Sequence, residues 1–270
     1  MVKLFLYMLL FYGITFPQNI KLEGKLESGS LIIGEAKKKI SAVYLNENEI
    51  PFDSSGRFLF GFDRDESGIY KLEVEFADSS KERKKIKISS RKYKIQKINR
   101  VEKKYVHPPE SVLQRIEHEG VILSKAKGDA GKEITPHYLS GFAKPYKKGR
   151  ITGVFGSQRI FRNVKKNPHN GADIANPKGT PVYAMSDGVV KLTGDDFYYS
   201  GNLIILSHGL GLMSFYLHLD KISVKEGEFV KKGQKIGEVG STGRSTGAHL
   251  HWTVQWFSKR IDPLSLPELK

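Results

Sequence analysis

The sequence predicts a mostly β protein in which two β-rich regions flank a partly helical connector, all behind a short apolar leader. Three observations carry this reading. Apolar residues alternate at period two through much of residues 18–101; the period turns helical after His107-Pro108-Pro109; and from about Ile134 frequent glycine turns bring the β pattern back. A hydrophobic content of 39% is enough for a real core, and 270 residues suit one large domain or two modest ones.

The leader, MVKLFLYMLLFYGITF, joins one lysine to an apolar stretch from Leu4 to Phe16. That stretch is shorter than the roughly 20 residues a membrane-spanning helix needs, so residues 1–17 read as an export signal. No A-x-A-like cleavage site precedes Pro17-Gln18, which leaves an uncleaved signal anchor as the alternative and the one expected link to a membrane. Residues 18–101 follow as a small β-sandwich (Ig-like) of about seven strands. Its clearest strands carry Phe58, Phe60 and Phe62 after the turn Asp53-Ser-Ser-Gly56, and Tyr70, Leu72, Val74 and Phe76 after Gly68. The connector, residues 102–132, places Val112, Leu113 and Ile116 on one helical face, with Gly120 as the expected breaker. Residues 133–270 are β-rich, with turns at Lys178-Gly179, Asp187-Gly188 and Ser200-Gly201-Asn202 and a dense glycine series in KEGEFVKKGQKIGEVGSTG, Lys225–Gly243. Hairpins of that last kind also occur in lipoyl-carrier modules, but the leader and the histidines argue against a carrier.

The chain has no cysteine, so disulfides, thiolate ligands and lipidation of an N-terminal cysteine are excluded. Any metal site must use His, Asp or Glu. Lys and Arg exceed Asp and Glu by 44 to 29, giving a net charge of +15 that suits an anionic partner. No nucleic-acid-binding spacing is present, and an exported chain seldom meets nucleic acid, so the expected partner is an anionic polymer or surface outside the cytoplasm.

Eight histidines occur, none of them in the sandwich region. His107, His118 and His137 have no paired acid at ligand spacing and read as structural or solvated. In GAHLHWTVQW, Gly247–Trp256, an extended chain projects His249 and His251 from one face and Leu250 and Trp252 from the other. Upstream, His169 precedes Asp173 by four residues with Gly171 between them, so a short turn can bring both onto one centre. A hydrolytic zinc site uses three such protein ligands and keeps one position open. His169, Asp173 and one histidine of the pair supply the three, and the other histidine then stands beside the open position. In SFYLHL, alternation puts Ser214, Tyr216 and His218 on one strand face and Phe215, Leu217 and Leu219 on the other.

His169-Asn-Gly-Ala-Asp173, Tyr216-Leu-His218-Leu and Gly240-Ser-Thr-Gly-Arg-Ser-Thr-Gly-Ala-His-Leu-His251 resemble, in order and spacing, the lysostaphin-like or LytM-type peptidoglycan zinc metalloendopeptidases. The resemblance runs from about Phe142 to Pro263 and includes FGSQR, Phe155–Arg159, and GTPVYAMSDGVV, Gly179–Val190. It implies a compact antiparallel β-sheet with a long groove, zinc held by His169, Asp173 and His251, and His218 and His249 as the catalytic pair. Peptidoglycan peptides are the implied partner and the periplasm or cell envelope the implied location. Two positions depart from the family. Thr253 stands where an acid is common, outside the ligand set, with little expected effect on chemistry. Phe161-Arg-Asn-Val-Lys-Lys166 replaces small and glycine-rich residues and bears on groove shape rather than catalysis. His208, in ILSHG, is expected to pack.

The expected chemistry is amide hydrolysis, and because no H-E-x-x-H glutamate is present a histidine must serve as the base: His249 is assigned as general base and His218 as stabiliser of the tetrahedral oxyanion, an order that spacing does not fix, with a coupled pair as the alternative. Two rival readings are a catalytically inactive relative that binds cell wall or activates an amidase, and a polyanion-binding envelope protein with an incidental metal. The first would have lost ligands, which this chain has not; the second would make the histidines dispensable.

Overall fold

A computed structural model of the chain describes residues 19–267, so the leader expected over residues 1–17 lies outside the described residues. Seven strands form the N-terminal sandwich. One sheet joins Ile20–Glu23, Leu31–Ala36 and Arg57–Gly61; the other joins Asn48–Glu49, Ile40–Leu45, Gly68–Phe76 and Lys81–Ile88, with every pair antiparallel. Leu72, Val74 and Phe76 point into the core at period two. Phe58, Leu59 and Phe60 are all fully buried, because this strand is covered on both faces. Its second face lies against the C-terminal region, where a Cβ on Gly61 would come within 2.6 Å of Ile261 Cδ1. The two β regions therefore share one apolar core running from Ile20 to Leu266.

Ile95–Ile98 falls inside the stretch read as sandwich, yet it pairs in parallel with Gln158–Phe161, which turns through Arg162 and Asn163 into Val164–Lys165. Both turn residues have positive φ, 47° and 66°, as a two-residue hairpin requires. The departure noted at Phe161–Lys166 thus lies in a small hairpin, tied to the segment just before the connector by the bond from Arg162 Nε to the Val101 carbonyl, 2.7 Å.

The connector's main helix, Leu113–Gly131, runs through Gly120 without a break. A Cβ at Gly120 would meet nothing within 4 Å, so the glycine costs only its poor propensity, about 1 kcal/mol. Packing outweighs that cost. Ile122, Leu123, Ala126 and Ala130 lie on Leu192, Phe197, Leu203, Ile205, Met213 and Phe215, and the small side chains of Ala126 and Ala130 let the helix approach the sheet closely. That sheet is the antiparallel one the sequence implies. Its main path runs Phe229–Val230, Gly188–Phe197, Gly201–Gly209, Leu212–Ile222, His249–Trp256, Ala172–Ala175 and Arg150–Gly153, with Lys235–Val239, Pro181–Tyr183 and Lys259–Ile261 attached at its sides.

His208 sits within this core, fully buried. Its Nδ1–H donates to the Asp187 carbonyl at 2.6 Å, its Nε2 lies 2.8 Å from Ser214 Oγ, and Ser214 Oγ lies 3.0 Å from Tyr216 Oη. Burial pushes its pKa down to about 4. The unfolded chain, with an ordinary histidine, takes up that proton first as pH falls. The neutral ring's contribution is therefore complete above pH 6.5 and is lost progressively towards pH 4, by about 3 kcal/mol. Urea unfolding at pH 7 and pH 4.5 should show a smaller acid loss in His208→Gln than in the parent chain. Parallel losses would contradict the assignment.

Candidate metal centre

The site is assembled by strand register. Asp173 lies directly opposite His251, Ala175 opposite His249, and Leu217 opposite His251 on its other side. Leu250 and Trp252 are fully buried beneath the sheet, which leaves His249 and His251 on the opposite face as the extended chain requires. His169 comes from the turn before Asp173. Gly171 is essential to that turn, since a Cβ there would lie 2.3 Å from the Trp252 carbonyl oxygen.

His218 reaches the site by an irregularity that strict alternation does not foresee. Asn202 faces Leu219 and Ile204 faces Tyr216, so one extra residue is inserted in the strand, and His218 takes a left-handed φ of 62°. Its amide donates to the Ser200 carbonyl at 2.9 Å. The bulge corrects the reading of SFYLHL: Leu219 joins Tyr216 in the main core, while Phe215 and Leu217 lie under the helix and His218 is turned towards the histidine pair. Its ring centroid is 4.8 Å from that of His249 and 6.0 Å from that of His251.

His169, Asp173 and His251 bring one ligand atom each within 4.8 Å of one another, and all three residues are buried. His169 Nε2 is 3.0 Å from His251 Nδ1 and 3.0 Å from Asp173 Oδ1, and His251 Nδ1 is 2.7 Å from the same oxygen. The far sides of both rings are engaged. His169 Nδ1–H donates to the Val154 carbonyl at 3.1 Å, and His251 Nε2 is 2.9 Å from Thr253 Oγ1. With those hydrogens outward, three lone-pair atoms converge on one point, which is the donor set a tetrahedral divalent ion takes.

Charge fits this arrangement. Burial opposes ionisation of Asp173, but His169 and His251 outweigh it and hold the carboxyl well below its usual range. Burial pushes His251 down to about 4 against the pull of Asp173. Burial, and the neighbouring His249 and His251, keep His218 neutral. His218 Nδ1–H donates to the Thr242 carbonyl at 2.8 Å and His249 Nδ1–H to that of Gly247 at 2.8 Å. Both catalytic candidates therefore offer a free Nε2, and that of His249 stands 3.8 Å from Asp173 Oδ1. His107, His118 and His137 take no part in the cluster or its surrounding cavities.

Two supporting residues were not identified from sequence. Arg159 closes FGSQR and its guanidinium binds Asp173 Oδ2, leaving Oδ1 to face the imidazoles. A Cβ on Gly153 would lie 2.4 Å from Oδ2, so glycine is needed there as well. Thr253, set aside above as having little effect, is the residue that holds the outer nitrogen of His251. An acid at this position would do the same, which is the physical sense of the exchange. Removing such an outer partner typically costs 10- to 100-fold in metal affinity. Thr253→Val, nearly the same shape, should weaken zinc binding by at least about tenfold in a chelator competition; unchanged affinity would show that the hydroxyl plays no part.

The profile of peptidase family M23 matches residues 167–263. Peptidoglycan DD-endopeptidase ShyA of Vibrio cholerae is 49% identical over 108 residues, 40% of this chain and 25% of that protein. DD-carboxypeptidase/endopeptidase Mpg of Neisseria meningitidis is 44% identical over 105 residues, 37% of this chain and 24% of that protein. The aligned stretch thus spans about a quarter of the length of these relatives. A crystal structure from Pseudomonas aeruginosa described as peptidase M23 superposes with a TM-score of 0.65 at 28% identity, covering 88% of this chain and 93% of that one. The C-terminal part of the chain is a LytM-type domain of peptidase family M23.

Proposed function

We propose that the chain is a zinc-dependent endopeptidase that hydrolyses amide bonds in the cross-links or stem peptides of peptidoglycan, acting in the cell envelope. The observation that carries this is the convergence of His169 Nε2, Asp173 Oδ1 and His251 Nδ1 beside the paired rings of His218 and His249. The names of the related peptidoglycan endopeptidases support the substrate class, and the net charge of +15 suits a wall rich in free carboxylates. An inactive binding protein would be expected to lack part of this constellation, and the sequence carries all five residues. No helix among the described residues is long and apolar enough to cross a membrane.

His169, Asp173 and His251 would hold the zinc. When bound, zinc supplies Lewis-acid chemistry, polarising a carbonyl and acidifying water. The remaining steps belong to the two imidazoles. His249, anchored through Nδ1, presents Nε2 towards the ligand cluster and takes a proton from the attacking water, then returns it to the leaving amine. His218 has its Nδ1 hydrogen committed to Thr242, so it donates to an oxyanion only after Nε2 has itself taken up a proton. The left-handed backbone at His218 fixes where that ring can stand.

Purified cross-linked sacculi are the direct test. Zinc-loaded full-length protein should convert dimeric muropeptides to monomers, each conversion adding one water, and chelator treatment or His249→Ala should stop it. Intact dimers, or release of glycan fragments alone, would remove the basis for an endopeptidase.

A further inference from the structure

The signature loop between Lys235–Val239 and His249–Trp256 carries a cation that the hydrolytic chemistry does not use. Arg244 is held from two sides: its guanidinium carbon lies 4.7 Å from the ring centre of Tyr199 and 5.5 Å from that of Phe161. Its backbone amide is fixed by the Tyr199 carbonyl at 2.9 Å. Among the described residues no carboxylate pairs with this guanidinium, and none of its N–H groups has a protein acceptor. The neighbouring Arg159, by contrast, is committed to Asp173.

The position is functional in its geometry. Two cavities, of about 300 and 540 Å³, flank the candidate metal centre, and Arg159, Phe161, His218 and Arg244 line both. Arg244 therefore lines both cavities together with His218, and the smaller one together with His249 as well. A guanidinium remains charged at any working pH, presents a planar fork that fits a carboxylate with two parallel hydrogen bonds, and loses less freedom on binding when its plane is already fixed. The two aromatic contacts hold the guanidinium in place while its N–H groups, which have no protein acceptor among the described residues, stay available to a ligand.

We propose that Arg244 is a specificity residue, pairing its guanidinium with a free carboxylate of the wall peptide close to the amide that is cut. This rests on the peptidase reading above and deepens it. It explains why the loop invests a stacked arginine in the groove without giving it a protein partner. A purely structural role would require only the stacking.

The test uses a synthetic cross-linked peptide dimer in two forms, with its carboxylates free and with them converted to carboxamides, and the zinc-loaded full-length chain. The parent enzyme should favour the carboxylate form by about tenfold or more in kcat/KM, a factor in the range of one charge-assisted hydrogen bond. In Arg244→Gln that ratio should fall close to one, and Arg244→Lys should retain part of it. Calorimetry on the zinc-loaded His249→Ala protein gives a second readout, with tighter binding of the carboxylate form that disappears in His249→Ala/Arg244→Gln. No preference in the parent protein by either measure, or a preference that survives Arg244→Gln, overturns the proposal. If calorimetry shows the Arg244-dependent preference but neither form nor sacculi are cleaved, the peptidase reading fails while the carboxylate site stands.

Discussion

Asp173 and His251 face one another across adjacent antiparallel strands, and His169 closes on the same point from the turn four residues before Asp173. With the outer ring hydrogens donated to Val154 and Thr253, His169 Nε2, His251 Nδ1 and Asp173 Oδ1 point at one place, as the ligands of a divalent ion do. A buried, ionised carboxylate beside two such nitrogens is costly unless a positive charge joins them. Arg159 meets that need from one side, at Oδ2, and a divalent ion would meet it from the other. The sheet, the glycines at positions 153 and 171, and the bulge at His218 all serve to keep this cluster in place.

The supports extend well beyond the signature residues. Leu250 and Trp252 anchor the histidine strand in the core, and the helix Leu113–Gly131 covers the opposite face of the neighbouring strands. The chain around the start of the connector also walls the groove: Ile98 and Val101, just before it, line one cavity, and Tyr105, within it, the other. Bonds from the sandwich side fix the C-terminal region too, among them Arg91 to Asp262 at 2.9 Å and Arg64 Nε to the Gly156 carbonyl at 2.6 Å. The groove is thus built by segments distant in sequence, and its shape belongs to the whole chain.

What could be read from sequence was whatever period and spacing encode directly. The shared face of His249 and His251 follows from strand geometry, and the sandwich strands from their alternation. Gly120 misled, because an exposed helical glycine carries a propensity cost that packing can override. Leu219 misled because a bulge changes the face of every residue after it, and nothing in SFYLHL marks the left-handed backbone at His218. Arg159 and Thr253 were invisible for a different reason. Their roles lie in contacts across 14 residues of chain and across two positions of one strand, and only the folded register shows which partner each meets.

The central claim is that His169 and His251 turn opposite ring nitrogens to a common ion, and long-range proton–nitrogen correlation spectra of the histidine rings measure this most directly. Addition of one equivalent of zinc should shift Nε2 of His169 and Nδ1 of His251 to the range of metal-bound nitrogen, with the remaining ring nitrogen of each still protonated. His218 and His249 should keep their Nδ1 hydrogens. Zinc-induced shifts at a ring nitrogen of His249 in place of His251, or metal binding through Nδ1 of His169, would contradict the account.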